Sequence, residues 1–322
     1  MDEKQCAKDK VTVVIPVYNE ERFLRQALES VVDQVDCVVI GDNASTDGTE
    51  AICREFAEKY PHVRYFRNEE NLGSVENCIR CCQLVETEFM FHVGGHDLIP
   101  PNYVAELKTT LLNNPDAVCA HGNCSWLGLD GTVSKTCDFA SVRTGMLDDD
   151  PYVRAASFFC EKQRCDLIFG LYRSDSALPI FAELKPILCC DYFILVAALL
   201  DGKFVYTPKT TYLRRMVHPK DTTRDSMERL AGNHASKLFH DYDDIGKQIL
   251  DRVWEHRNRA TLSREQEKAF RALLFQIALK LDTPVDCPFW DSVFSLRKWW
   301  RKWCKTIKCR LIPGYAKRKG RR

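Results

Sequence analysis

The stretch VTVVIPVYNEERFL, residues 11–24, predicts how the chain folds. It opens with a β-branched run, VTVVI at 11–15, which is typical of a buried strand. Pro16 is expected to stop that strand because proline cannot donate to a ladder. Asn19 can then cap a helix in which apolar residues recur at spacings of three and four. The stretch therefore predicts a strand that leads directly into a helix.

The same alternation continues along the next seventy residues. Apolar runs at 37–40, 63–66 and 88–93 predict three further strands, and helical segments lie between them. Because strand and helix alternate without tight hairpins, the crossovers should be right-handed and the sheet mostly parallel. We therefore predict an α/β fold with helices on both faces of the sheet.

A polar loop follows each of these four predicted strands. The loops are residues 16–19, 41–43, 68–73 and 94–97. In open sheets of this kind, ligands bind outside the carboxyl ends of the strands, so all four loops should lie along one edge. Their convergence predicts a site of about the size of a nucleotide.

Asp97 is the sharpest single candidate in these loops. Gly94 and Gly95 permit a close backbone approach just before it. A hard divalent cation typically binds through one or two carboxylates together with the phosphates of a substrate. Asp97 can be such a ligand, and the alternative is a turn aspartate before the Ile-Pro-Pro break.

Other polar residues at this edge have structural alternatives. Asp42 and Asn43 could bond a base or ribose, or they could form an Asx turn. Asn71 and Gly73 could be turn residues only. Asp47, three residues before Glu50, has the spacing of a capping box and is interpreted mainly as a helix start.

Composition limits the classes of function. The 322 residues carry 46 Lys and Arg against 45 Asp and Glu, so the chain as a whole is no binder of polyanions. No signal peptide or membrane-spanning run is expected, which predicts a cytoplasmic protein whose 16 cysteines stay reduced. Structural zinc at Cys78, Cys81 and Cys82 is disfavoured, because no second ligand pair has the usual spacing.

The end of the chain has a different character. In FSLRKWWRKWCKTIKCRL, residues 294–311, apolar and tryptophan side chains fall on one helical face and basic ones crowd the other. This pattern is typical of a helix that lies on an anionic membrane surface. Nucleic acid is the rival partner for the basic end, but no stacking or helix-turn-helix signature supports it. We therefore predict peripheral association with the inner face of the cell membrane.

Four segments together resemble a known family. VTVVIPVYNEERFL, VVIGDNASTDGT, NLGSVEN and FMFHVGGHD occur in that order within residues 11–105. They resemble the nucleotide-sugar half of the family 2 glycosyltransferases with the GT-A fold. Metal-dependent, inverting transfer from a nucleotide-sugar, with UDP as the expected nucleotide, is what the resemblance implies. A saccharide or lipid-linked saccharide used in bacterial surface polysaccharides is the implied acceptor.

The resemblance also assigns roles to residues. Asp97 resembles the last carboxylate of the family's metal motif, for Mn²⁺ or Mg²⁺. Gly95 and His96 stand where an acidic pair is common, and His96 could be a metal ligand, a diphosphate contact or a polar loop residue. The expected nucleotide-sugar-binding residues are Pro16, Tyr18, Asn19, Asp42, Asn71, Gly73, His96 and Arg215.

Two later segments complete the expected site. Asp191, in CCDYFILVAALLDG, resembles the family's catalytic base at the start of a helix, and an N-cap is the alternative. YLRRMVHP resembles the segment near the diphosphate, which makes Arg215 and His218 candidates, with His218 as a metal ligand. A solvated basic loop is the alternative there.

The expected organisation has three parts. Residues 1–230 form the catalytic domain, with the nucleotide-sugar half at 11–105 and the acceptor half at 106–230. Residues 231–293 form a helical extension and 294–322 the membrane-associating tail. The competing hypothesis is a catalytically silent nucleotide-binding or scaffold protein of the same fold. A nicotinamide-dependent oxidoreductase is disfavoured because no GxGxxG follows the first strand.

Overall fold

A single eight-stranded sheet organises the part of the chain that this computed structural model describes, residues 8–137, 143–160, 165–185, 190–217 and 242–281. The strands are β1 Val11–Val17, β2 Cys37–Asp42, β3 Val63–Arg67, β4 Phe89–His92, β5 Ala117–Leu127, β6 Val133–Cys137, β7 Leu171–Arg173 and β8 Lys203–Arg215. The helices are α1 Leu24–Val31, α2 Thr49–Lys59, α3 Ser74–Cys82, α4 Tyr103–Leu112, α5 Arg143–Met146, α6 Pro151–Cys160, α7 Ser174–Ala182, α8 Cys190–Asp201, α9 Tyr242–Asn258 and α10 Arg264–Leu281. A 3-10 turn covers Cys165–Phe169.

Most strands of this sheet run in one direction. The order is β3-β2-β1-β4-β7-β5-β6, and β8 pairs along β5. The first four strands are parallel to one another, and β7 is antiparallel to both β4 and β5. Two reversals restore the original direction, so β5 and its parallel partner β8 point the same way as β1. The predicted α/β fold, with a mostly parallel sheet between helices, is confirmed.

Two predictions about the first strand and helix were wrong. β1 does not stop at Pro16 but continues to Val17, with Pro16 opposite Gly41 of β2. The pairing with β4 ends at Val14, so β1 has an open side at Pro16 where a missing donor is tolerated. Asn19 does not cap α1, which begins at Leu24 without a side-chain cap.

The C-terminal helices belong to the same hydrophobic core as the sheet. α9 packs on α8, and α10 packs on α6. Ile249, Val253 and Leu273 are buried in that interface. Arg252 of α9 forms ion pairs with Glu183 and with Asp201 at the end of α8. The extension thus buttresses the helix that begins with Asp191.

Several predictions fall outside the described residues. They include His218, the tail at 294–322 and the boundary near residue 230. Among the helices that the structure does describe, none has the length and apolar character needed to cross a bilayer.

Candidate functional site

The four predicted loops meet at the carboxyl edge of the sheet, because β1, β2, β3 and β4 all end there. Hydrogen bonds tie the loops together. The backbone N–H of Asn19 donates to Ser45 Oγ at 3.0 Å, and Asn19 Oδ1 accepts the N–H of Thr46 at 2.8 Å. Asn19 has a positive φ of 54°, which an asparagine tolerates better than most residues. It therefore joins the first loop to the second.

Asp42 is fully buried at the end of β2. One carboxylate oxygen accepts the N–H of Ser45 at 2.9 Å. The other accepts the hydroxyl of Tyr65 at 3.1 Å and forms an ion pair with Arg67. Burial, followed by the charge of this carboxylate, raises the pKa of Tyr65. Asp42 thus fixes Arg67, which is partly exposed, at the rim of the site.

Asn43 is the centre of a buried amide network. Its Nδ2 donates to Asn71 Oδ1 at 2.7 Å and to the carbonyl of Gly73 at 3.1 Å. Its Oδ1 accepts from Asn68 Nδ2 at 3.0 Å and from the N–H of Leu72 at 2.9 Å. Gly73 has φ 86°, a conformation that favours glycine. Asn71 and Gly73 therefore shape the third loop around Asn43.

Pro16 and Tyr18 border the same edge. Pro16 is partly buried opposite Gly41, and Tyr18 is 36% exposed just beyond the end of β1. A half-exposed aromatic ring at this position is available to a ligand.

Asp97 connects the two halves of the chain. It is buried, and its Oδ2 accepts the hydroxyl of Tyr212 at 2.7 Å, while its Oδ1 accepts the backbone N–H of Arg215 at 2.7 Å. Tyr212 and Arg215 both belong to the end of β8. A methyl group added at Gly94 would lie 2.6 Å from Asp97 Oδ2, so the glycine makes room for the carboxylate.

His96 lies between two carboxylates. Its Nδ1 is 2.8 Å from Glu20 Oε1, and its Nε2 is 3.9 Å from Asp97 Oδ1. Burial lowers the pKa of His96, but the hydrogen bond to Glu20 and the charges of both carboxylates outweigh it, so the pKa is raised. The imidazole is thus held by Glu20 with its other nitrogen towards Asp97.

Arg215 has its guanidinium in contact with protein on every side. Nε donates to the carbonyl of His96 at 2.9 Å, and Nη2 donates to Gln26 Oε1 at 3.0 Å. Nη1 donates to the carbonyl of Gly128 at 3.3 Å, and the guanidinium carbon lies 4.3 Å from the centre of the Phe23 ring. These partners hold the loop of Asp97 in place. A contact between Arg215 and diphosphate stays a prediction.

Asp191 is half-buried in the first turn of α8, and its Oδ1 accepts the N–H of Tyr192 at 3.1 Å. α8 ends at Asp201, directly before the start of β8. Twelve helical residues extend about 18 Å, so the helix runs back to the carboxyl edge of the sheet. Its packing against the turn Cys165–Phe169, which precedes β7 at that edge, agrees with this placement. Asp191 and Asp97 therefore lie on the same edge.

A divalent cation at Asp97 stays a prediction, and the described residues place two possible donor groups there. Asp97 supplies a carboxylate and His96 an imidazole nitrogen. Within the described ranges, no group of three or more His, Cys, Asp or Glu side chains is arranged to hold an ion. Hard cations such as Mg²⁺ commonly take one or two protein ligands and complete their shell with substrate phosphates and water.

Sequence reasoning missed two residues of this site, Glu20 and Tyr212. Glu20 is 76 positions from its partner His96, and Tyr212 is 115 positions from Asp97. Glu20 follows Asn19 directly in the first polar loop, so its position in that loop was a usable signal. For Tyr212 the sequence offers an apolar strand residue and no signal of its contact.

Comparisons with known proteins agree with this geometry. Residues 12–126 match the model of a family described as glycosyl transferase family 2. The glycosyltransferase GlyA of Streptococcus pneumoniae is 34% identical over 103 residues, which cover 31% of this chain and 14% of that protein. The abequosyltransferase RfbV of Salmonella typhimurium is 31% identical over 112 residues, which cover 33% of this chain and 34% of that protein. The chain thus spans about a third or less of the length of these two relatives.

A solved structure extends the likeness of fold beyond the matched segment. The structure of residues 1–349 of Staphylococcus aureus TarS in complex with UDP-GlcNAc aligns with 84% of this chain and 73% of its own, with a TM-score of 0.57 and 17% identity. That identity supports the fold alone. The family model and the ordered motifs agree, and residues 12–126 carry a glycosyl transferase family 2 domain.

Proposed function

We propose that this protein transfers a sugar from a UDP-sugar to a saccharide or lipid-linked saccharide acceptor, with inversion at the anomeric carbon, in the synthesis of bacterial cell-surface polysaccharide. The observation that carries the proposal is the meeting of the first-half loops, Asp97 and the start of α8 at one edge of the sheet. The TarS structures in complex with UDP and with UDP-GlcNAc support a uridine nucleotide for this fold.

The loops of the first half would hold the nucleotide. Asp42 fixes Arg67 at the rim, and Asn19, Asn71 and Gly73 set the shape of the adjoining loops. The exposed ring of Tyr18 adds a surface on which a base or ribose can pack. Rigid loops of this kind reduce the entropy that is lost when a ligand binds.

Asp97 and His96 are the described residues that would hold a divalent cation, Mn²⁺ or Mg²⁺, with His218 as a further predicted ligand. A cation bound there would neutralise charge on the leaving diphosphate. Glu20 keeps the imidazole of His96 oriented, as carboxylates commonly do for histidines that bind metals.

Asp191 would be the general base. Its carboxylate takes the proton from the acceptor hydroxyl as the oxygen attacks the anomeric carbon. The bond from that carbon to the diphosphate breaks with its electron pair on the leaving oxygen, and in-line attack inverts the centre. The first turn of α8 would hold the carboxylate at the edge to which the acceptor must come.

The catalytically silent alternative is less well supported. It gives no reason for the first-half loops, Asp97 and the start of α8 to meet at one edge of the sheet. The helical extension that packs against α8 also favours a helix held for catalysis.

Binding and turnover of UDP-GlcNAc test the proposal. We expect calorimetry to detect UDP with the wild-type protein, tighter with Mn²⁺ than with EDTA. Asp191→Asn should leave the affinity for UDP within about twofold of wild type. It should reduce the rate of sugar transfer, or of UDP-GlcNAc hydrolysis where no acceptor is present, by about a hundredfold or more. Asp175→Asn is the matched control, since Asp175 is in the first turn of α7, at the opposite edge of the sheet. Absence of UDP binding would refute the proposed donor. Full turnover by Asp191→Asn would refute the role of Asp191 as the general base.

A further inference from the structure

Two neighbouring arginines at the end of β8 have opposite surroundings. Each nitrogen of the Arg215 guanidinium donates to a protein acceptor, whereas Arg214 points to the other face of the strand, where Nη1 donates to Asp166 Oδ1 at 2.9 Å. The side chain of Arg214 is 40% exposed and that of Asp166 only 9%. The carboxylate therefore faces inward and holds the arginine outward. Among the residues that the structure describes, Nε and the second Nη of Arg214 have no protein acceptor.

Two aromatic rings lie beside the Arg214 guanidinium. Its central carbon lies 5.3 Å from the ring centre of Trp126 and 5.7 Å from that of Phe169. Phe169 is buried, and Trp126 is partly exposed beside the arginine. A planar guanidinium that is held by a carboxylate, packed beside aromatic rings and left with open donors suits bidentate contact with a phosphate or carboxylate.

The position of this cluster relates it to the proposed chemistry. Phe169 stacks on Tyr212 with ring centres 4.2 Å apart, and the hydroxyl of Tyr212 donates to Asp97. The turn Cys165–Phe169, which carries Asp166 and Phe169, also packs against α8, the helix that begins with Asp191. Arg214 thus lies on the second-half side of the edge, beside the turn that packs against the helix of the proposed base. The first-half loops lie on the other side of Asp97.

We propose that Arg214, held by Asp166 beside the rings of Trp126 and Phe169, forms an acceptor subsite that selects a saccharide with an anionic group. This inference rests on the proposed function, because it assigns the acceptor side of that same site. The ring of Trp126 offers an apolar face beside the charge, a combination suited to a sugar that carries a phosphate or a carboxylate. The oxygens of either anion can accept hydrogen bonds from the open N–H groups of Arg214.

Paired anionic and neutral probes test the subsite. Wild-type protein saturated with UDP is titrated by NMR with glycerol 3-phosphate against glycerol, and with glucuronate against glucose. We expect at least one anionic probe to bind about tenfold more tightly than its neutral partner. Arg214→Ala should abolish that preference, and Arg214→Lys should restore little of it, since a lysine lacks the planar fork.

The donor arm separates this subsite from the nucleotide site. UDP and uridine are titrated into wild type, Arg214→Ala and the control Arg25→Ala, whose 46% exposed side chain also pairs with one carboxylate, Glu55. We expect the affinity of Arg214→Ala for UDP to stay within about twofold of wild type. If Arg214→Ala lost affinity for UDP but not for uridine, the guanidinium would bind the donor diphosphate, and the proposal would be overturned. Anionic probes that bind no better than neutral ones would also overturn it, while UDP binding would leave the proposed function standing.

Discussion

The two halves of the sheet bring polar groups to the same edge in different ways. In the first half, Asn19, Asp42 and Asn43 bond to other loops of that half, so the polar residues hold one another. In the second half, Arg214 is held by a single carboxylate and two rings, and Asp191 stands in the first turn of a helix. Polar residues of the first half therefore build loop geometry, whereas in the second half Arg215 is engaged by protein acceptors and its neighbour Arg214 keeps open donors.

Removal of Asp97 should have the largest effect, because this residue joins the halves. Asp97→Ala leaves the buried hydroxyl of Tyr212 and the N–H of Arg215 without their acceptor. We expect a loss of about 3 kcal/mol in the free energy of unfolding, measured by urea denaturation. Asp97→Asn, which retains an acceptor oxygen, should keep most of the stability and still weaken Mn²⁺ binding. Equal stability of wild type and Asp97→Ala would show that the halves are joined elsewhere.

The neighbouring arginines sharpen the contrast. Arg215→Ala removes donors to two carbonyls and to Gln26, and we expect it to cost about 2 kcal/mol in urea denaturation. Arg214→Ala is its matched partner and should cost less, about 1 kcal/mol, because the arginine is partly exposed even though its partner Asp166 is buried. A larger loss from Arg214→Ala than from Arg215→Ala would reverse the assignment of structural and open roles.

The amide network tests how far the first half depends on its own loops. Asn43→Ala removes four hydrogen bonds at a buried position and should cost about 2 kcal/mol. Exposed Asn102, whose amide donates to the carbonyl of Lys209, is the control, and its alanine variant should stay within about 0.5 kcal/mol of wild type. If the two variants were equally stable, the network would not be what sets the loops.

Acid sensitivity is the smallest expected effect and lies where the halves meet. His92 of β4 stacks on Phe169 of the second half at 5.3 Å, and burial lowers its pKa from 6.5 to about 4. As the pH falls below the unfolded-state pKa of 6.5, the unfolded chain takes up a proton at His92 that the folded protein does not bind until the pH approaches about 4. The free energy of unfolding therefore decreases over this range. Between pH 7 and pH 5.5 this should cost about 1 kcal/mol of stability.

Comparison with a stacking variant isolates that contribution. His92→Phe keeps a ring against Phe169 and has no titrating group, so its stability should fall less over the same pH range. The measurement is urea denaturation of both proteins at pH 7 and pH 5.5. Parallel decreases in the two proteins would mean that His92 does not titrate as its burial implies.

Local pattern predicted the first half well and its details less well. Alternating apolar runs and helical spacings predicted that β1 to β4 are parallel, and the polar loops were correctly placed at the strand ends. The end of β1 at Pro16 and the cap at Asn19 were wrong, because both depend on neighbours that are distant in sequence. A strand can contain proline where its side is open, and an asparagine can bond a loop 27 positions away instead of its own helix.

The amino-acid sequence by itself determined the fold class, the edge at which the loops meet and the identity of Asp97 and Asp191 as residues of interest. The spacing of apolar residues and the residues that form turns are local properties, so they can be recognised in the sequence. The order of the four motifs along the chain identified the site residues. Only the tertiary structure decided that Glu20 orients His96, that Tyr212 holds Asp97, and that each guanidinium nitrogen of Arg215 has a protein acceptor while Arg214 keeps open donors. Those roles depend on which face of a strand meets which loop, and that follows from the packing of segments far apart in the chain.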